Sequence, residues 1–170
     1  MLKRTALDIR VLHLVRDGRA VAYSWNKRQK QELGLRQQKN YMPHHSLTRA
    51  LITWLVENAY TSIIGQKFNT YTVVRYEDMT QNFAVILQKA FQDLALSTTN
   101  LSFSNNNTIA IKPTHSVGGN PLRFQKRSID LRLDEEWRQE MPPKQQLALG
   151  LLGLPLMQQY SYKVREAVVK

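Results

Sequence analysis

Val11-Leu12-His13-Leu14-Val15-Arg16-Asp17-Gly18-Arg19-Ala20-Val21-Ala22-Tyr23-Ser24-Trp25 is the stretch on which the fold turns. Its first five residues form a short, nearly continuous apolar run, the pattern of a strand buried in a parallel sheet. The run stops abruptly at Arg16-Asp17-Gly18. Arg19 to Gln31 then predicts a helix, with Asp17 as its N-cap. A strand that feeds a helix start places backbone N–H groups and the positive end of the helix dipole where anions bind. Arg16, at the strand tip, offers a forked pair of donors to a phosphate. Ser24 follows about two helical turns later, and its hydroxyl can face the same side. Spacing alone leaves the alternative equally open: a surface arginine and a helix serine that share no ligand.

Further along, Leu47, Ala50, Leu51, Trp54, Leu55 and Ala59 recur at helical spacing and predict a helix from Ser46 to about Ile64. Thr70 to Tyr76 reads as a second strand. Asp78 to Leu96 reads as another amphipathic helix, with Phe83, Ile86, Leu87, Ala90, Phe91 and Leu94 on its apolar side. The polar segment Lys27 to Met42 is expected to be a helix tail and a mobile loop. Ser97 to Ser128 has no period and is expected to be one long loop. Asp134 is placed to cap a short helix through Met141, which Pro142-Pro143 ends while opening another towards Leu152. The order of elements predicts an α/β protein: helix-rich, a single domain over residues 1–170, with too few strands for a full sheet.

Lys and Arg number 24 against 13 Asp and Glu, a formal charge of +11, so an anionic partner is expected. Nucleotide, nucleic acid, sulfated glycan and acidic membrane surface all satisfy that charge. The chain has no cysteine, which excludes disulfides and thiolate metal sites and fits a cytoplasmic address. No apolar run approaches the ~18 residues of a spanning helix. The sequons at Asn100 and Asn106 matter only in a secreted protein.

The segment from Val11 to Ser24, a strand followed by Arg-Asp-Gly-Arg and a serine eight residues after the first arginine, resembles the 3′-phosphate-binding motif of sulfotransferases that use 3′-phosphoadenosine 5′-phosphosulfate (PAPS). Other marks follow in that family's order. Trp54 stands in the next long helix, and Tyr76-Glu77-Asp78 after the second strand is similar to the family's Tyr-Glu-Asp motif. His115 with Gly119-Asn120-Pro121-Leu122-Arg123-Phe124 is similar to a loop that closes over the nucleotide in bacterial members. Trp137 and Tyr160-Ser161-Tyr162 fit the usual ending. The resemblance spans Val11 to Tyr162. It implies a P-loop-type parallel sheet and sulfuryl transfer from PAPS to a hydroxyl or amine acceptor, carbohydrate among the candidates. Arg16 and Ser24 would hold the 3′-phosphate, Tyr76 would lie near the adenine, and Gly119, Asn120 and Arg123 would close over the cofactor. No metal is implied, and no catalytic residue is assigned.

The family's phosphosulfate loop would lie many tens of residues before Arg16, whereas the chain begins fifteen residues before it. The expectation is therefore a C-terminal part of a sulfotransferase domain, with an incomplete sheet and no activity alone. A basic nucleic-acid-binding module is the alternative from another class; it accounts for the charge but puts the aromatics on core faces instead of one exposed face. A non-catalytic remnant that helps to assemble a partner is a third possibility. His13 is expected to be a satisfied core histidine, His44-His45 to lie in a loop before a helix, and Trp54 to belong to the core. His115 is expected to orient the nucleotide or to serve structure.

Overall fold

Two parallel strands and the helices that cover them form the centre of the computed structural model, which describes residues 8–27, 30–31, 40–41, 44–97, 108–110 and 128–164. Strand β1 (Arg10–Val15) pairs with β4 (Thr70–Arg75) in register from Arg10 opposite Thr70 to Val15 opposite Arg75. Between them in sequence lie α1 (Gly18–Asn26), the short strands β2 (Lys30–Gln31) and β3 (Asn40–Tyr41), and α2 (Leu47–Gly65). After β4 come α3 (Tyr76–Gln81), α4 (Phe83–Asp93), β5 (Thr108–Ala110) and β6 (Ser128–Asp130). The chain continues through α5 (Glu136–Glu140), α6 (Pro143–Leu152) and α7 (Leu154–Gln159). This is a helix-rich α/β fold with few strands, as the pattern predicted.

The two principal strands share one sheet, with α2 packed on one face and α4 on the other. On one face His13 reaches Asn58 of α2, and Tyr71 stands beside Ser62 of the same helix. On the other face Thr72 bonds Asp93 of α4. Side chains alternate across a strand, so α2 lies over β1 and α4 over β4 on opposite sides. Leu12 and Leu14, on the α4 face of β1, are left exposed. The core lies beneath α1 and α2, where Val15, Ala22, Leu51, Trp54, Met157 and Tyr162 are buried. His13 is only 6% exposed, with Nδ1 and Nε2 each 2.9 Å from a partner, Tyr71 Oη and Asn58 Oδ1. Asn58 donates its own amide N–H to Trp54 O at 2.7 Å, which orients its oxygen towards Nε2. The buried histidine is thus satisfied, as expected.

Four expectations are corrected. The helix expected from Arg19 to Gln31 stops at Asn26. There the Asn26 amide donates to His45 O (2.9 Å) and His45 N donates to Trp25 O (3.1 Å), so the approach to α2 seals the end of α1. Lys30–Gln31 instead pairs antiparallel with Asn40–Tyr41, inside the segment expected to be a helix tail and loop. The helix expected from Asp78 to Leu96 is two helices, broken at Asn82 and ended at Leu94. The Arg10 guanidinium donates to Leu94 O at 3.0 Å and also to Ala95 O, which takes up α4's terminal carbonyls. The segment Ser97 to Ser128 is not loop throughout, since Thr108–Ala110 pairs antiparallel with Ser128–Asp130. Two- and three-residue strands are too short to leave a periodic signal.

The outward side of α2 is also apolar. Ile52, Val56, Tyr60 and Ile63 follow one another at spacings of four, four and three residues, and each is more than half exposed. That stripe is the kind of surface that drives association, and Leu12 and Leu14 add a smaller exposed apolar area on the opposite face of the sheet. Sedimentation velocity is expected to show concentration-dependent self-association. The pair Val56→Lys and Ile63→Lys is expected to suppress it and to shift stability by less than about 0.5 kcal/mol per site. A monodisperse monomer at every concentration would show that water tolerates this surface.

Candidate functional site

The site grows from the junction at which β1 becomes α1. Asp17 caps the helix as predicted, its Oδ1 accepting from Arg19 N at 2.8 Å. The same carboxylate takes both arms of the Arg19 guanidinium, Nε to Oδ1 at 3.0 Å and Nη2 to Oδ2 at 2.7 Å. Both side chains are 3% exposed. Arg19 then donates to the carbonyls of Lys163 (3.0 Å) and Val164 (2.8 Å) and lies over the Trp137 ring at 4.7 Å. Gly18 is buried beneath Leu51 and Trp54; a Cβ there would meet atoms of both at 3.0 Å. The close approach lets the Trp54 indole N–H reach Arg16 O at 3.0 Å.

Glu77 closes the junction from the other strand. Its Oε1 accepts from Asp17 N (3.0 Å) and its Oε2 from the Tyr162 hydroxyl (2.6 Å). Burial, and then the bond to Glu77, push the Tyr162 phenol far above its ordinary range. Two N–H groups of the strand-to-helix turn, those of Asp17 and Arg19, are therefore taken by carboxylates of the chain itself. The sequence expectation had these backbone donors facing an external anion; the structure gives them to Glu77 and Asp17.

What remains for a ligand is the Arg16 side chain. Its guanidinium lies over the Tyr76 ring, 4.7 Å from the centroid, so two residues sixty positions apart meet at the ends of adjacent strands. One arm, Nη2, donates to Asp134, to Oδ2 at 2.9 Å and to the backbone O at 3.2 Å. The Nε atom is buried and without a hydrogen-bond partner among the described residues. The Tyr76 hydroxyl reaches Arg132 O at 3.4 Å. Burial pushes the Asp134 carboxyl up, but the bonds from Arg16 and from Glu136 N outweigh it and hold the group below its ordinary value.

Ser24 lies half-buried on α1, two turns beyond Arg16. Among the described residues no hydrogen bond joins it to Arg16. Its neighbours Tyr23 and Lys27 both bind Glu136, Lys27 Nζ at 2.5 and 2.6 Å and the Tyr23 hydroxyl at 3.4 Å. Gly119, Asn120, Arg123 and His115 lie outside the described residues. His44 and His45 sit just before α2, and among the described residues no cluster has the makings of a metal site. An open cleft of about 420 Å³ runs along β4 away from Arg16. Arg75 and Lys89 on its walls are matched by Asp78 and Asp93, so it favours neither sign of charge.

Sequence reasoning read Arg19 and Glu77 as members of motifs and Asp134 as a helix cap, and assigned none of the three a part in the site. The carboxylate of Asp17, two residues before it, was the available signal for Arg19, because a buried arginine needs such a partner. No helix among the described residues is long and apolar enough to cross a membrane. No protein-family model matches the chain, and neither a curated protein nor a solved structure matches it.

Proposed function

We propose that this chain binds the 3′-phosphate of PAPS, or of its product adenosine 3′,5′-bisphosphate, as part of a sulfotransferase domain. The observation that carries the reading is the pairing of Arg16 with Tyr76. The resemblance assigns the arginine to the phosphate and the tyrosine to the neighbourhood of the adenine. Stacking the two supplies a guanidinium fork beside an aromatic platform, a donor set suited to a phosphorylated nucleoside. The Arg16 Nε, without a hydrogen-bond partner among the described residues, is a buried donor that a phosphate oxygen would satisfy. Ser24 would add a hydroxyl, and Gly119, Asn120 and Arg123 would close the site. The bound cofactor supplies an activated sulfuryl group; the acceptor is a hydroxyl or amine compound. Trp54, Trp137, Tyr160 and Tyr162 are buried and so are not available to stack on bases, which supports a nucleotide over a nucleic acid.

Calorimetric titration with adenosine 3′,5′-bisphosphate and with adenosine 5′-monophosphate tests the reading. The bisphosphate is expected to bind more tightly, and Arg16→Ala to weaken it by about tenfold to a hundredfold, as loss of a charged hydrogen bond does. Ser24→Ala is expected to cost about fivefold. Equal affinity for the two nucleotides, or none lost in Arg16→Ala, sinks the proposal. Retention of RNA but not of the bisphosphate would favour the nucleic-acid module.

A further inference from the structure

The segment Arg132–Glu136, which leads from β6 into the first residue of α5, lies beside the candidate site and makes three polar contacts there. Tyr76 Oη reaches Arg132 O, Arg16 holds Asp134, and Lys27 holds Glu136. Two of these contacts place a carboxylate on a cation beside the α1 surface that carries Ser24. A carboxylate on a guanidinium occupies the donor that a phosphate oxygen would use. Glu135, between the two, turns away and pairs with Arg138 at 3.0 Å.

Resting on the proposed site, we infer that the strap Arg132–Glu136 is an internal competitor of the phosphate: Asp134 occupies Arg16, and the nucleotide binds by displacing it. The measured affinity is then the intrinsic affinity reduced by the fraction of molecules in which the strap is released. Asp134 is suited to this role because its Oδ1 also accepts from Glu136 N at 3.2 Å. That bond holds the carboxylate towards Arg16 by local geometry. Glu136 anchors the far end on Lys27 without touching Arg16. Displacement frees Asp134 and exposes Arg16 together, so ligand binding and strap position are coupled in both directions.

The test titrates adenosine 3′,5′-bisphosphate into the full chain and four variants. Asp134→Asn keeps an oxygen for Glu136 N but removes the charge, and it is expected to bind about five- to thirtyfold more tightly. Glu136→Gln loosens the anchor and is expected to gain about two- to fivefold. Glu135→Gln removes the same unit of charge from the same segment and is expected to gain less than twofold. Asp134→Asn combined with Arg16→Ala is expected to gain nothing over Arg16→Ala alone. In the full chain, the ligand should also raise amide exchange across residues 132–136. Equal gains in Glu135→Gln and Asp134→Asn would reduce the effect to general repulsion and overturn the strap. Arg16-dependent binding with no gain in Asp134→Asn and no exchange response would overturn the strap and leave the site standing. Absence of Arg16-dependent binding in any variant would overturn the site itself.

Discussion

Arg19→Ala is expected to lower the unfolding free energy by about 3–5 kcal/mol, the usual effect of removing one partner from a buried ion pair. The reasons lie in the geometry. Asp17 is 3% exposed and takes both arms of the guanidinium, so the alanine variant leaves a carboxylate in the core with no cation. The carbonyls of Lys163 and Val164 lose their donor at the same time, and the Trp137 ring loses the cation above it. Against a typical total of about 5–15 kcal/mol, that is about a fifth of the stability or more. Arg19→Lys keeps the charge but not the fork, and it is expected to recover less than half of the loss. Urea unfolding followed by tryptophan fluorescence reads the difference directly. A loss below about 1 kcal/mol would mean that the segment at residues 163–164 is held by other contacts and that Asp17 finds water.

The same residue marks the limit of what the sequence discloses. β1, α2 and β4 are legible because each carries its own pattern: an apolar run, a stripe at helical spacing, a β-rich run. Asp17 is legible as a cap for the same reason, since a cap is a contact with the next few residues. Arg19 is different. Whether it faces water or the core depends on backbone carbonyls more than 140 residues away. The break at Asn82 is of the same kind. Glu77 is drawn to the Asp17 N–H while α4 must lie across β4, and one straight helix cannot do both. The stripe from Phe83 to Leu94 continues the pattern of a single helix and hides the turn. At the candidate site, Arg16 and Tyr76 were legible as members of motifs. Asp134, which holds the arginine, belongs to no motif and is a partner by proximity alone.

Glu77→Ala is expected to cost about 3–6 kcal/mol, because each of the two lost hydrogen bonds ends on the charged carboxylate and is worth roughly 1.5–3 kcal/mol. Glu77 joins the β1–α1 turn, the start of α3 and the closing segment through Asp17 N and the Tyr162 hydroxyl. Without it the Tyr162 hydroxyl keeps the longer bond to Val15 O at 3.3 Å and the neighbouring Arg75 guanidinium. Glu77→Gln keeps an acceptor for one partner and is expected to fall between alanine and the parent chain. The dependence on pH separates this arrangement from mere packing. Tyr162 has a folded pKa raised above its ordinary 10.0 by burial and by Glu77. The unfolded chain therefore releases its proton first as pH rises past about 10, and stability falls by about 1.4 kcal/mol per pH unit for this group until the folded phenol ionises. Below pH 10 its contribution is fully present. Tyr160, also raised by burial, adds a second such slope. Tyr162→Phe is expected to flatten the alkaline decline between pH 10 and 11 while leaving the Tyr160 share. Urea midpoints at pH 8 and pH 11 on the parent, Tyr162→Phe and Glu77→Ala chains make the comparison. If Tyr162→Phe declines as steeply as the parent, the phenol is not the group that titrates, and the Glu77 junction is held by packing instead of by its hydrogen bonds.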